Sequence, residues 1–131
     1  MANVIATAAK AIMTNRILGA GTEPKQASWG TGAGTSAVTD TTLFLEKAAD
    51  LVTATGTRVA ATTSQQTTTA TNDTYRAVAT ITATAAGTVT NYGNFDSATI
   101  AAGNLFVKAD FAGIALNIGD AITFTTNVQF T

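Results

Sequence analysis

Hydrophobic and polar residues alternate with a period of two over much of the chain from residue 57 onward. In the last segment Ile122, Phe124, Val128 and Phe130 share one face, while the residues between them are mostly Thr, Asn and Gln. This alternation is typical of a half-buried antiparallel strand. It predicts further strands at 57–69, 75–83, 88–95 and 104–111, the last with Lys108 and Asp110 facing outward. A shorter strand is predicted near 43–47.

Turn-forming residues separate these segments, at Asn72-Asp73, Gly87, Gly103, Gly113 and Gly119-Asp120. Several short strands at this spacing indicate an all-β fold. We therefore predict an antiparallel β-sandwich of the jelly-roll or immunoglobulin-like kind, with an N-terminal helix or arm. Residues 21–131 would form a single sandwich domain.

Residues 1–20 have a different period, which predicts an amphipathic helix. Its apolar residues recur at spacings of three and four: Val4, Ile5, Ala8, Ala9, Ile12, Met13 and Ile17. Asn3 is a candidate N-cap, and Gly19 and Gly21 would end the helix. Two interpretations remain open: the helix packs on its own domain, or it is an arm that docks on a neighbouring subunit.

Residues 19–42 are predicted to form a Gly-rich loop. This segment contains the only proline, Pro24, and glycines alternate at Gly30, Gly32 and Gly34 directly after the only tryptophan, Trp29. Such a density of Gly, Thr and Ser disfavours regular structure. We expect Trp29 to close the edge of the core rather than to bind a ligand.

The composition is dominated by two small residues, with 28 Thr and 27 Ala among 131 residues. Alanine contributes little buried area, so we expect a thin core whose stability depends on assembly with other chains. Threonine favours strands and gives an uncharged polar surface. Only 11% of residues are charged and the net charge is −1, which argues against binding to nucleic acid or to anionic membranes.

Candidate catalytic and metal-binding groups are few. The absence of His and Cys excludes imidazole and thiolate chemistry and the usual zinc sites. The run Gly30–Gly34 lacks the Lys of a phosphate-binding loop, and Asn91–Asp96 lacks the bidentate Glu of a calcium loop. The carboxylates fit turn, cap or outward strand positions better than a paired catalytic site. We expect no catalytic residue, metal, cofactor or small-molecule substrate.

The second half of the chain resembles a family of small structural proteins of tailed-phage virions. The resemblance lies in a strand, a turn, a strand that ends in Phe, a Gly-Asp turn and a final apolar strand. The corresponding segments are Val89–Asp96, Asn104–Phe111, Ile114–Phe124 and Val128–Phe130. The segments Trp29–Gly32 and Leu43–Glu46 also fit, so that the resemblance covers about two thirds of the chain.

The resemblance implies a structural role without catalysis. The chain would be a cement or decoration protein that binds the major capsid protein on the capsid exterior and stabilises the head by bridging capsomers. It would also bind itself, as a trimer. The alternative within the virion is a tail or fibre component that contacts the host surface. Two alternatives come from other functional classes. One is an enzyme such as a polysaccharide depolymerase, and the other is a free-standing adhesin or ice-binding module.

The N-terminal apolar residues are the candidate docking residues, because a sandwich has no required place for them. We predict that Ile5, Ile12, Met13 and Ile17 contact the capsid and that Trp29 and Phe44 support them.

Overall fold

Two antiparallel sheets pack against each other in the computed structural model, which describes all 131 residues and places 45% of them in strands. The elements in chain order are β1 (Asn3–Ile5), α1 (Ala9–Ile17), β2 (Gln26–Gly30), β3 (Glu46–Lys47), β4 (Val59–Ala60), β5 (Thr62–Gln66), β6 (Thr74–Thr82), β7 (Gly87–Phe95), β8 (Leu105–Leu116) and β9 (Ala121–Gln129). The predicted all-β sandwich with an N-terminal helix is confirmed.

The large sheet has the strand order β1-β8-β7-β2-β3, and β4 also pairs with β2, beside β3. The small sheet has the order β5-β6-β9. All pairings are antiparallel. The longest ladder of the large sheet is β7–β8, and that of the small sheet is β6–β9. The chain crosses between the sheets three times, after β4, after β6 and after β8, so that each sheet contains strands from both halves of the sequence.

The main core lies between the two sheets and is rich in alanine. Five of its eleven buried residues are alanines, which lie around the larger side chains of Trp29, Val89 and Tyr92. Alanine side chains allow the sheets to approach closely but bury little area each. The core is therefore thin, as the composition predicts.

The outer face of the large sheet is also buried, because residues 31–45 fold across it; we call them the covering segment. Leu43 of this segment packs with Ala6, Phe95 and Leu105 in a second core cluster. The glycines fit against Phe44: a Cβ on Gly34 would lie 2.6 Å from the ring. Close packing thus explains the alternating glycines.

The predicted loop at 19–42 is wrong for part of its length. Gln26–Gly30 forms β2, which pairs with β7 along its whole length and lies in the interior of the large sheet. Trp29 belongs to this strand and is 1% exposed. The small residues of β2 mislead a pattern-based prediction because both faces of this strand are buried and no alternation is left.

The predicted helix over 1–20 is also too long. Asn3–Ile5 pairs with Val107–Ala109 of β8 as a short edge strand, and the helix begins only after Ala8, which replaces Asn3 as the N-cap. Val4 and Ile5 are β-branched, and the edge of β8 offers them a backbone partner. The helix packs Ala9 and Ile12 against Phe106 and Val128, so it belongs to its own domain.

The strands predicted in the second half are confirmed as β6, β7, β8 and β9, with boundaries shifted by a few residues. The strand predicted at 57–69 divides into β4 and β5, and the one near 43–47 is reduced to Glu46–Lys47. The outward placement of Lys108 is wrong, because this residue is 2% exposed. It lies on the outer face of the sheet, but the covering segment buries that face.

The second core cluster offers a test of the fold. Leu105 is fully buried, so we expect Leu105→Ala to lower the free energy of unfolding by about 2–5 kcal/mol through lost burial and the cavity it leaves. The matched control is Leu18→Ala, since Leu18 is 80% exposed and its truncation should change stability by less than about 0.5 kcal/mol. Urea-induced unfolding measures both, and equal losses would contradict the arrangement.

Candidate functional site

The six predicted interface residues do not form one surface. Trp29 lies in the main core and donates its Nε1–H to the Ala48 carbonyl at 3.1 Å, and Ile12 is 2% exposed beneath the helix. Phe44 lies within the covering segment, packed between Gly34 and the Lys108 ammonium. The predicted capsid contact of Ile12 is therefore wrong, because its side chain is buried. Trp29 and Phe44, whose predicted role is only to support the docking residues, pack within the domain.

The remaining predicted residues lie on two separate apolar surfaces. The first, which we call the helix-end surface, consists of Met13, Ile17, Leu18, Pro24 and Phe130. Most of it lines a groove of about 400 Å³ beside α1, in which Tyr75 and Phe106 form part of the wall. Ile17 is 87% exposed, Leu18 is 80% exposed and Phe130 is 53% exposed. Burial, together with the nearby carboxylate of Glu23, raises the pKa of Tyr75.

The second surface, which we call the open-edge groove, contains Ile5. It has a volume of about 560 Å³ and lies between β1 and β8 of the large sheet and β9 of the small sheet. Most of its lining is apolar. Tyr92 stacks on Phe124 in its wall, with ring centroids 4.0 Å apart and planes 11° from parallel. Burial raises the pKa of Tyr92, so its hydroxyl stays protonated.

A buried ion pair joins Glu46 of β3 to Arg58, the residue before β4. Arg58 forms a bidentate pair with Glu46: Nε lies 2.6 Å from Oε1, and Nη2 lies 3.0 Å from Oε2. Its Nη1 donates to the carbonyls of Ser97 and Ala102, and the guanidinium lies 3.5 Å from the centre of the Phe95 ring. All parts of this cation therefore have partners, as a buried guanidinium requires.

A second ion pair holds the covering segment on the large sheet. The Lys108 Nζ lies 2.7 Å from Asp40, 2.9 Å from the Thr42 carbonyl and 3.2 Å from the centre of the Phe44 ring. Burial acts to raise the pKa of Asp40, but the hydrogen bonds from Lys108 and from the Ala37 amide outweigh it, and the net pKa is lowered.

Two further residues of the large sheet bind the backbone of the covering segment. The Asn91 side chain accepts from the Phe44 amide and donates to the Phe44 carbonyl, at 3.0 and 3.1 Å. Asp110 accepts from the Ser36 amide at 2.6 Å, and this bond is the main reason that its pKa is lowered. The segment is therefore fixed by polar contacts along its length.

The other carboxylates act mainly in turns, as expected. Asp73 accepts from the backbone amides of Thr68, Thr69 and Ala70, each at 2.9 Å, and these bonds lower its pKa. Asp96 and Asp120 make similar contacts with Asn104 and Asn117. Glu46 and Asp40 are the exceptions, because each pairs with a buried cation. No group of three or more His, Cys, Asp or Glu side chains is close enough together to hold a metal ion.

Comparison with protein-family models, curated proteins and solved structures finds no match. A membrane-spanning helix needs about 20 apolar residues, and the single nine-residue helix does not meet that requirement.

The exposure of Phe130 gives no signal in the sequence. This residue continues the apolar alternation of Ile122, Phe124 and Val128, and it is nevertheless 53% exposed. The buried ion pairs give no signal either, because Arg58 and Glu46 lie twelve residues apart in segments without periodicity.

The Arg58–Glu46 pair predicts a strong dependence of stability on both partners. Arg58→Met should lower the free energy of unfolding by about 3–5 kcal/mol, because it leaves a buried carboxylate without its cation. The double variant Arg58→Met/Glu46→Leu should lose less than Arg58→Met alone, since no buried charge then remains unpaired. Denaturant unfolding of the single variants Arg58→Met and Glu46→Leu and of the double variant checks this. A double variant whose loss of stability equals the sum of the two single losses would contradict the pairing.

Asp73 predicts a pH dependence of stability. The pKa of Asp73 in the folded protein is below its ordinary value of 3.8. The contribution of ionised Asp73 to the free energy of unfolding is therefore fully present above the ordinary pKa and is lost as the pH falls through the folded-state pKa. Stability should therefore fall below about pH 4 in the wild type and fall less steeply in Asp73→Asn. Unfolding experiments between about pH 2 and 6 measure this. Parallel curves for the two proteins would assign the acid sensitivity to other groups.

Proposed function

We propose that this chain is a non-enzymatic structural protein of a tailed-phage virion, which binds the major capsid protein from outside and bridges capsomers as a cement or decoration protein. The resemblance also implies self-association as a trimer, a state on which this proposal does not depend. The observation that carries the proposal is the helix-end surface, where three large apolar side chains are more than half exposed on a fixed helix and strand end. Contiguous apolar residues on a surface typically mark a protein contact.

The helix-end surface is held in place by the core, which supports docking on another protein without a conformational change. The buried face of α1 packs on Phe106 and Val128, and the first residues of the chain are held by β8. A surface that is ordered before binding loses little conformational entropy on docking. Weak contacts of this kind become strong when many copies act together on a particle.

The surface chemistry also suits a particle component. Arg58 and Lys108 are buried, which leaves five of the seven basic residues outside the core, and threonine supplies much of the polar surface. Such a surface offers few charges for binding polyanions. The proposed partner is therefore a protein with an apolar recess, and the proposed energy source is burial of Ile17, Leu18 and Phe130.

Point changes on the helix-end surface should weaken binding to capsids. Ile17→Asp and Leu18→Asp should each weaken binding of the purified chain to heads that lack it by more than about tenfold, the loss typical of an important interface residue. Their folding should be unchanged because both side chains are exposed. Val52→Asp, at a residue that is 64% exposed elsewhere, is the matched control. Co-sedimentation with heads measures the binding.

Point changes are preferable to removal of residues 1–20, which would also take Ala9 and Ile12 out of the core. Cryo-electron microscopy of the intact particle provides the second readout. A high copy number on the head is expected. A few copies confined to the tail would instead support the fibre alternative, and absence from the particle would reject both.

A further inference from the structure

The small sheet ends in a long strand whose outer edge has no partner. β9 pairs with β6 over all nine of its residues in continuous register, and no strand lies on its other side. The remaining edge strands are much shorter: β5 has five residues, β1 has three, and β3 and β4 have two each. Natural proteins usually protect a long edge with charges, proline or a bulge. β9 has none of these.

The hydrogen bonds at both ends of the β6–β9 ladder show which groups of β9 are free. Phe130 donates its amide to the Asp73 carbonyl at 2.9 Å, and Ala83 donates to the Asp120 carbonyl at 2.7 Å. Alternate residues of an antiparallel strand bond to the same neighbour, so the even-numbered residues of β9 face β6. The N–H and C=O groups of the odd-numbered residues therefore point to the free edge: Ala121, Thr123, Thr125, Asn127 and Gln129.

We propose that two copies of this chain associate by antiparallel pairing of their β9 strands around a twofold axis at Thr125. In this register Thr125 pairs with its own copy, Thr123 pairs with Asn127, and Ala121 pairs with Gln129. Every outward-facing residue then has a hydrogen-bonded partner. The two small sheets join into one continuous six-stranded sheet.

The charge distribution makes a second copy the best-matched partner. β9 contains no charged residue, so two copies meet without like-charge repulsion, and a charged strand would gain no ion pair there. The adjoining half of β8, from Phe111 to Leu116, is uncharged as well. Ile114 is 41% exposed and lines the groove beside this edge, so the second copy would cover it.

The available area is sufficient for a specific dimer. Nine residues extend for about 30 Å and the sandwich is about 20 Å thick, so each copy would cover about 600 Å². Specific protein interfaces begin at a total of about 1,200 Å². The contact lies at the mouth of the open-edge groove and does not use the helix-end surface, so it does not rest on capsid binding.

A single cysteine tests the register directly, because the chain has no cysteine of its own. Residues in a hydrogen-bonded antiparallel pair have Cα atoms about 5.5 Å apart, within the range that a disulfide bridges. Thr125→Cys should therefore form covalent dimers readily under mild oxidation. Thr82→Cys is the matched control, because Thr82 is also exposed but belongs to β6, one strand away from the edge. Equal crosslinking of the two variants would overturn the proposal.

A charge exchange at the same position gives the second test. Sedimentation equilibrium should find a concentration-dependent dimer for the wild type and for the control Thr82→Lys. Thr125→Lys and Thr125→Glu should each be monomeric, and an equimolar mixture should recover the dimer, which also shows that both variants fold. A wild type that stays monomeric or forms trimers, or a mixture that fails to recover the dimer, would overturn the proposal.

Discussion

The large sheet buries both of its faces along β2, β7 and the first residues of β8, and the polar contacts of the molecule are arranged around this constraint. Its inner face packs on the small sheet through an alanine-rich core, and its outer face lies beneath residues 31–45. A sheet covered on both sides needs either apolar residues on both faces or polar residues that are fully paired. The outer face of this sheet combines the two: Phe95 and Leu105 pack on Leu43, and polar residues bond to the covering segment. Lys108, Asn91 and Asp110 are polar residues of the sheet, and each bonds to the segment that covers it.

The same arrangement explains why a chain with so few charged residues buries two of its seven cations. The thin alanine core provides modest burial energy, and an additional layer is needed to exclude water from the other face. Arg58 and Lys108 each combine a carboxylate, backbone carbonyls and an aromatic ring around one cation. These clusters hold loops that have few apolar side chains of their own. They are part of the architecture.

The placement of alanine inside and threonine outside leaves the exterior with little charge and with two apolar regions. One region lies at the end of α1, and the other lies between the free edges of β8 and β9. An uncharged surface gives weak protection against association, so contacts between molecules are a natural consequence of this composition. Both regions are formed by elements that the core holds in place. They are suited to binding other proteins in a fixed geometry.

The alternating pattern by itself determined the four long strands from β6 to β9. Each of these strands turns one face toward the interior, so that apolar residues recur at every second position. The pattern also determined the all-β class. The tertiary structure decided the rest. Val4 and Ile5 form a strand because β8 offers an edge, and Trp29 lies in a strand because β7 pairs with it. Lys108 points toward a face that only the covering segment buries. Such contacts join residues far apart in the chain, and local periodicity records which face of a segment is buried but not what buries it.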